Sequence, residues 1–368
     1  MRRLAIFAAI ALIGATGWLT NSESGLRALA GLAAGASGGQ LQIEGESGRL
    51  LGTFSLGQVR WTDPKQQIEI SGLHVDWSPA ALLHGTLQIA TLSVEQLHIT
   101  RQPSSTPTPP PTDLRLPLAV AAERVAIATL RWGEALTVTD IVARLDSDGR
   151  HHRIDGWRAR TAGIALSGNA TLDGVAPFQI EANAQIAGLL DQRPLAVGLT
   201  ASGPLERLAV SAVATQGVVG QAEIALTPFA EAAFATARLQ LDDIDPAAWQ
   251  PGAPQARLSI VADVQPQGEG IVGSFGLTNY QPGPLDKQRL PLDTLAGTLE
   301  WQGSTARFAS LHATLPGSGE LSGHGEWQNG ALTLDLAVRR LQAAQIATML
   351  RSPALNGQIS STVGGERQ

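Results

Sequence analysis

The sequence predicts an all-β protein: an elongated, curled antiparallel β-sheet behind an N-terminal transmembrane helix, with a few short helices. Two observations support the β assignment. Apolar residues recur at every second position from Leu41 onward, in runs of four to eight. Gly, Asn, Asp and Pro punctuate those runs at short intervals, as in Asp63-Pro64 and Asn329-Gly330. A third observation supports the helix: Arg2 and Arg3 precede an uncharged apolar stretch, Leu4 to Leu19.

That stretch holds Leu4, Ile6, Phe7, Ile10, Leu12, Ile13, Trp18 and Leu19 as the membrane-contacting residues. Its sixteen residues rise about 24 Å as a helix, against about 30 Å of hydrocarbon. Snorkelling arginines and local thinning close such a gap. Ala15 and Gly17 equally fit a signal-peptide cleavage pair. Anchor and cleaved signal both place the rest of the chain outside the cytoplasm, because the two arginines stay inside.

The elements follow in order. Segment 1–20 is the anchor and 21–38 a helical connector, with Leu26, Leu29 and Ala33 as its apolar stripe. Segment 39–101 is a first β region: Leu41 and Ile43, Phe54 and Leu56, Val59 and Trp61, Ile68 and Ile70, then Leu73, Val75 and Trp77. Ser78-Pro79 and Gly85 bracket a helical interruption, with Ser78 as cap. Strands resume through Leu87, Ile89, Leu97 and Ile99. Residues 102–117 are rich in proline and read as a solvated loop. Segment 118–368 repeats the alternation. Asp245-Pro246 starts a short helical turn, Asn329-Gly330 makes a hairpin, and 341–350 is a last helix with Ile346 and Met349 inward. Glu-Trp-Gln at 300–302 returns at 326–328, a repeat of hairpin size. Tryptophans 61, 77, 301 and 327 are expected to end strands against the core.

Composition narrows the function. Of the 368 residues 16% are charged, the net charge is −6 and no basic block occurs, so a nucleic-acid partner has no electrostatic footprint. There is no cysteine, which excludes disulfides and thiolate catalysis. His151-His152 sit on opposite faces of a strand, and Asp242 to Asp245 lack the glycine and glutamate of a calcium loop. No serine stands in a nucleophile elbow. Neither enzyme activity nor a cofactor or metal is expected.

About twenty alternating strands need somewhere to put their apolar face. The sheet can close as a barrel, split into a packed sandwich, or fold into a trough whose inside stays apolar. Aromatics are only 4%, and alanines such as Ala182, Ala201, Ala212 and Ala262 recur on the inward side. They either let two sheets pack closely or leave room for acyl chains. Leu41, Ile43, Val59, Val75, Ile89, Ile180, Leu199, Leu241, Ile260, Leu299 and Leu334 are the expected lining.

Particular stretches resemble the TamB family of the AsmA-like group. These are 39–45, 48–54, Leu73 to Pro79, Leu82 to Leu87 and Gly283 to Asp286, most specific before Gln102. The resemblance implies the taco-shaped groove, a single-pass inner-membrane anchor and a body in the periplasm of a diderm bacterium. It implies phospholipid as cargo, conducted between the inner and outer membranes, and support of outer-membrane protein assembly. The outer-membrane barrel TamA is the implied protein partner, through a C-terminal region that this sequence does not display. The pattern stops in mid-course at 360–368, so the chain is expected to be truncated or a piece of a longer protein. Strand-templating assembly without lipid transport, or a passive extracytoplasmic stalk, are the alternative functions.

Overall fold

A computed structural model describes residues 20–64, 66–101, 109–190, 193–351 and 354–364. The anchor residues Leu4, Ile6, Phe7, Ile10, Leu12, Ile13, Trp18 and Leu19 lie outside the described residues. Among the described residues no helix is long and apolar enough to cross a membrane. The chain divides into two compact units: 1–191 with 202–205, and 192–201 with 206–368.

The first unit starts with helix α1 (Glu23–Ala36). The Ser22 hydroxyl accepts from the Gly25 N–H at 3.0 Å, satisfying one of the donors a helix start leaves open. Leu26 and Ala30 are buried while Ala33 is exposed. The buried stripe therefore runs i to i+4 and not through Ala33, because α1 is covered only where it packs against the first strands.

Those strands are β1 (Leu41–Glu44), β2 (Ser47–Gly48), β3 (Thr53–Thr62), β4 (Gln66–Ser78) and β5 (Thr86–Arg101). β6 (Ala119–Trp132), β7 (Leu136–Ser147), β8 (His151–Thr161), β9 (Ile164–Asp173) and β10 (Gln179–Leu190) complete the first unit's sheet. β1 and β2 both pair with β3, and each later strand pairs with its predecessor. All these ladders are antiparallel except β5–β6, which is parallel. Between β4 and β5 the chain makes a 3-10 turn, Pro79–His84, closed by Gly85 at φ 74°. Ser78 precedes it without a side-chain capping bond, contrary to expectation.

β11 (Arg193–Pro204) is divided between the units. The second unit continues with β12 (Leu208–Gln216), β13 (Val219–Leu226), β14 (Phe234–Ile244), β15 (Leu258–Gln267), β16 (Gly270–Asn279) and β17 (Thr294–Gln302). β18 (Thr305–Leu315), β19 (Gly319–Gln328), β20 (Ala331–Leu341) and β21 (Leu355–Gly364) follow. From β12 to β21 sequence neighbours pair antiparallel. Two short helices interrupt them, α2 (Pro246–Trp249) and α3 (Ala343–Ile346). Asp245 caps α2 as its sequence suggests, accepting from the Ala247 N–H at 3.2 Å. The Asn329-Gly330 turn adopts φ 51° and 80°, the left-handed pair that a two-residue hairpin demands. Within each unit, among the described residues, no ladder joins the first strand to the last.

No large side chain is fully buried among the described residues, and only fifteen apolar residues are buried at all. A packed sandwich of this many strands would bury its inward face. Of the four tryptophans expected to end strands against a core, Trp61 and Trp77 are half-buried, whereas Trp301 and Trp327 remain 48% and 37% exposed. α3 is also shorter than expected, and Met349 points outward, 78% exposed. It lies beyond the single turn of α3, with no layer facing it.

Candidate apolar groove

Cross-strand partners share a face of a sheet, so the ladders reveal which side chains line up. In the first unit one row runs Ile43, Val59, Ile70, Leu97, Leu130, Val138. A second runs Leu41, Trp61, Ile68, Ile99, Trp132, Leu136. Phe54, Val75, Leu92, Val125 and Ala143 make a third. Ile89 belongs to a fourth, from Trp77 through Ala122, Leu145, Ile154 and Ala170 to Ala182. The opposite face is polar: Gln42, Arg60, Glu69, His98 and Arg131 pair in line, and the Arg60 Nε donates to Glu69 at 2.7 Å. That bond lowers the Glu69 pKa below the ordinary carboxylate value.

The second unit repeats the arrangement. Leu241, Ile260, Leu277, Leu295, Ala313, Leu321 and Val338 form one row. Leu299, Phe308, Gly325 and Leu334 form another. Arg238 and Asp263 bond at 2.7 Å on the polar side.

Nine of the eleven expected lining residues fall into ordered apolar rows. Leu41, Ile43, Val59, Val75 and Ile89 join the first unit's rows; Leu241, Ile260, Leu299 and Leu334 join the second's. Val75 is buried and the others are half-buried, as a side chain standing on a single uncovered layer would be. Leu199 stands half-buried on β11. Ile180 pairs with Leu172, but its row then meets His152 and Ser147.

Here a polar cluster replaces hydrocarbon. Ser147 is 3% exposed. Its hydroxyl lies 2.7 Å from His152 Nδ1 and accepts from the Gly149 N–H at 3.0 Å. His152 Nε2 donates to the Leu114 carbonyl at 2.9 Å. The Leu114 and Leu116 N–H groups bond the Gly174 and Gly149 carbonyls at 3.0 and 2.8 Å, which ties the segment before β6 to the strand ends. Beside it the Arg115 guanidinium holds the Asp113 carboxyl down at about 2.

Alternation alone would carry an apolar row off its face wherever a strand bends. Five strands avoid this with a kink. Asp140, Gly156, Asp243, Ser310 and Arg340 have φ of 50° to 56°, each at a register shift. Across each kink the apolar positions step by three: 138 to 141, 154 to 157, 241 to 244, 308 to 311, 338 to 341. A bulge of this kind bends the strand and restores the side-chain phase.

The second unit's apolar face contains a hollow of about 350 Å³, lined entirely by hydrocarbon. Phe275, Leu295, Phe308, Leu311, Leu321 and Leu334 are among its walls. The two phenylalanine rings meet edge to face, centroids 6.0 Å apart. Phe275 and Phe308 each pair with a glycine, Gly297 and Gly325. An aromatic ring laid over a neighbouring glycine shields backbone that would otherwise be bare. Of these walls the alternation places Leu332, Leu334 and Leu336 on one apolar face and gives Leu334 alone as lining. The step of three at Phe308 and Leu311 was the signal that would have found the rest.

Rows of hydrocarbon on an uncovered β layer, begun by a helix and a short β1–β2 edge, bring the comparisons with known proteins into focus. Residues 12–147 match the family model of TamB, N-terminal domain. The chain carries a TamB N-terminal portion. The matched segment reaches from before α1 to the end of β7 and takes in the parallel β5–β6 step. The TamB family is membrane-associated and periplasmic, in the setting of outer-membrane assembly or lipid transport; the match covers 136 of the 368 residues. Comparison with curated proteins and with solved structures gave no match.

Proposed function

We propose that the protein is an inner-membrane-anchored, periplasmic β-groove that conducts phospholipid between the inner and outer membranes and so supports outer-membrane protein assembly. The observation that carries this reading is the set of apolar rows left half-open on an unclosed layer. Wetting one sixteen-carbon chain costs on the order of 12 kcal/mol at about 0.8 kcal/mol per methylene. Rows of Leu, Ile, Val and Phe remove most of that barrier while a headgroup stays in water. No residue has to bind tightly, and no catalytic step belongs to this reading. The first nineteen residues supply the single-pass anchor.

Photocrosslinking tests it. A photoreactive residue at Val59, Leu241, Leu299 or Leu334 captures phospholipid in cells, whereas one at Arg60 or Arg238 does not. Capture confined to the arginine positions shows that the faces are inverted, and capture at neither ends the lipid reading.

A further inference from the structure

Three long connections in the second unit lie at one end of its strands: 245–257, 280–293 and the segment 342–351. At the other end β15–β16, β17–β18 and β19–β20 are joined by two-residue turns, 268–269, 303–304 and 329–330. The long connections are tied to one another. The Gln255 N–H donates to the Gln288 carbonyl at 2.7 Å, and the Leu290 N–H to the Gln255 carbonyl at 3.2 Å. The Tyr280 N–H reaches the Arg257 carbonyl at 2.8 Å. Farther along, the Thr348 N–H donates to the Asp286 carboxylate at 3.1 Å, and its hydroxyl bonds the same oxygen. The result is one hydrogen-bonded ledge.

Its outer surface is unusual for a soluble rim. Tyr280, Leu285, Met349 and Leu350 are 65%, 49%, 78% and 46% exposed. Lys287, Arg289 and Arg351 are exposed among them and form no ion pair among the described residues. The exposed carboxylate of the ledge, Asp286, is already occupied by Thr348. The tight-turn end carries Glu269 and Glu300 beside the exposed Trp301 and Trp327, and, among the described residues, no exposed cation without an ion pair. Aliphatic side chains that enter the headgroup layer, a tyrosine suited to its polar boundary and exposed cations outside any close ion pair among the described residues are what an anionic lipid surface recognises.

We infer that this ledge rests on the surface of a bilayer containing anionic phospholipid. The contact is separate from the groove: it concerns headgroups at a rim, and stands or falls whether or not the apolar rows hold tails. It brings one end of the second unit's strands to a membrane without any helix.

Because the chain has no cysteine, single labels report cleanly. The full chain is labelled with an environment-sensitive fluorophore at M349C, L285C or S304C and mixed with vesicles of phosphatidylcholine with or without phosphatidylglycerol. Phosphatidylglycerol vesicles shift the labels at 349 and 285 to the blue and shield them from iodide, while the label at 304, on the tight-turn end, does not respond. Replacing Lys287, Arg289 or Arg351 by glutamine weakens the response at 349 about fivefold each. The N-terminal apolar segment is present in every sample, so the difference between positions is the readout. Equal shielding at 349 and 304, a response indifferent to the three substitutions, or shielding that grows with protein concentration in the absence of vesicles overturns the inference. The last would assign the ledge to a second copy.

Discussion

The two units use one principle with different materials. From β1 to β7 the rows are unbroken hydrocarbon, Leu, Ile, Val and Trp side by side, and the strand ends are trimmed by a helix, a 3-10 turn and the segment around Leu114. From β16 to β20 bulky residues alternate with Gly297, Gly323 and Gly325, and the phenylalanines that cover them surround a hollow of about 350 Å³. That volume falls near the lower end of the range for small-molecule sites. An apolar face can therefore be made continuous by filling every position, or recessed by leaving some out. The recessed version has room for a guest; the filled version offers a surface to slide on.

The contrast can be broken by mutation. Leu311 is 8% exposed and forms a wall of the hollow. Leu311→Ala is expected to cost about 2–3 kcal/mol, the lower part of the usual range because one side is already open. Urea melts with hydrogen exchange should place the loss in β17–β20 and leave β1–β7 protected. Loss spread evenly over both units would mean that they do not behave separately.

The next effect concerns the kinks. Gly156 has open space around its Cα but φ of 56°. Gly156→Ala adds a Cβ that meets no atom within 4 Å and pays only for backbone conformation, so about 1–2 kcal/mol is expected. A neutral outcome in a urea melt would show that β8 straightens without cost and that the kink does not set the phase of its row.

A smaller loss is expected at the polar break in the first unit. Ser147→Ala removes the hydroxyl between His152 and the Gly149 N–H, which should destabilise by about 1 kcal/mol. Exchange of the Leu114 and Leu116 amides should quicken, since His152 then loses the bond that orients it. Unchanged amides would place the hold of that segment entirely in its backbone bonds.

The smallest effect is electrostatic. The Arg60 hydrogen bond depresses the Glu69 pKa, so the folded state favours the carboxylate. Its contribution is present above the unfolded value near 4.5 and is lost as pH falls through the lower folded value. Both groups are partly exposed, which limits the contribution to under about 1 kcal/mol. The Glu69→Gln variant should show a flatter stability profile below pH 4.5; an unchanged profile removes the pair from consideration.

Much of this was legible in the residues because a β layer writes its faces into alternate positions. Leu41, Ile43, Val59 and Val75 announced their rows, and Asn329-Gly330 and Asp245-Pro246 announced their turns by local chemistry alone. Two things were less visible. Strict alternation hid the kinks, since a step of three such as Ile154 to Trp157 looks like noise until the register shift beside it is seen. The fate of the apolar face was also open: small residues such as Ala182 and Ala212 suit close packing and open space equally, and only the absence of a covering layer in each unit separates the two. Met349 lies outward for the same reason: the helical pattern at 341–350 implies a layer to pack against, and among the described residues none faces it.

The parallel pairing of β5 with β6 has a consequence for how the chain acquires its structure. Neighbouring hairpins can zip one after another, each new strand meeting an edge already formed, and such local pairing is quick. At β6 that progression halts. Residues 102–118 must first bring the start of β6 back to the start of β5, a closure whose length-dependent cost is about 2.5 kcal/mol for a flexible segment of that size. Growth on the two sides of this junction can begin independently, so the first unit should assemble as two blocks joined late and not as one advancing front.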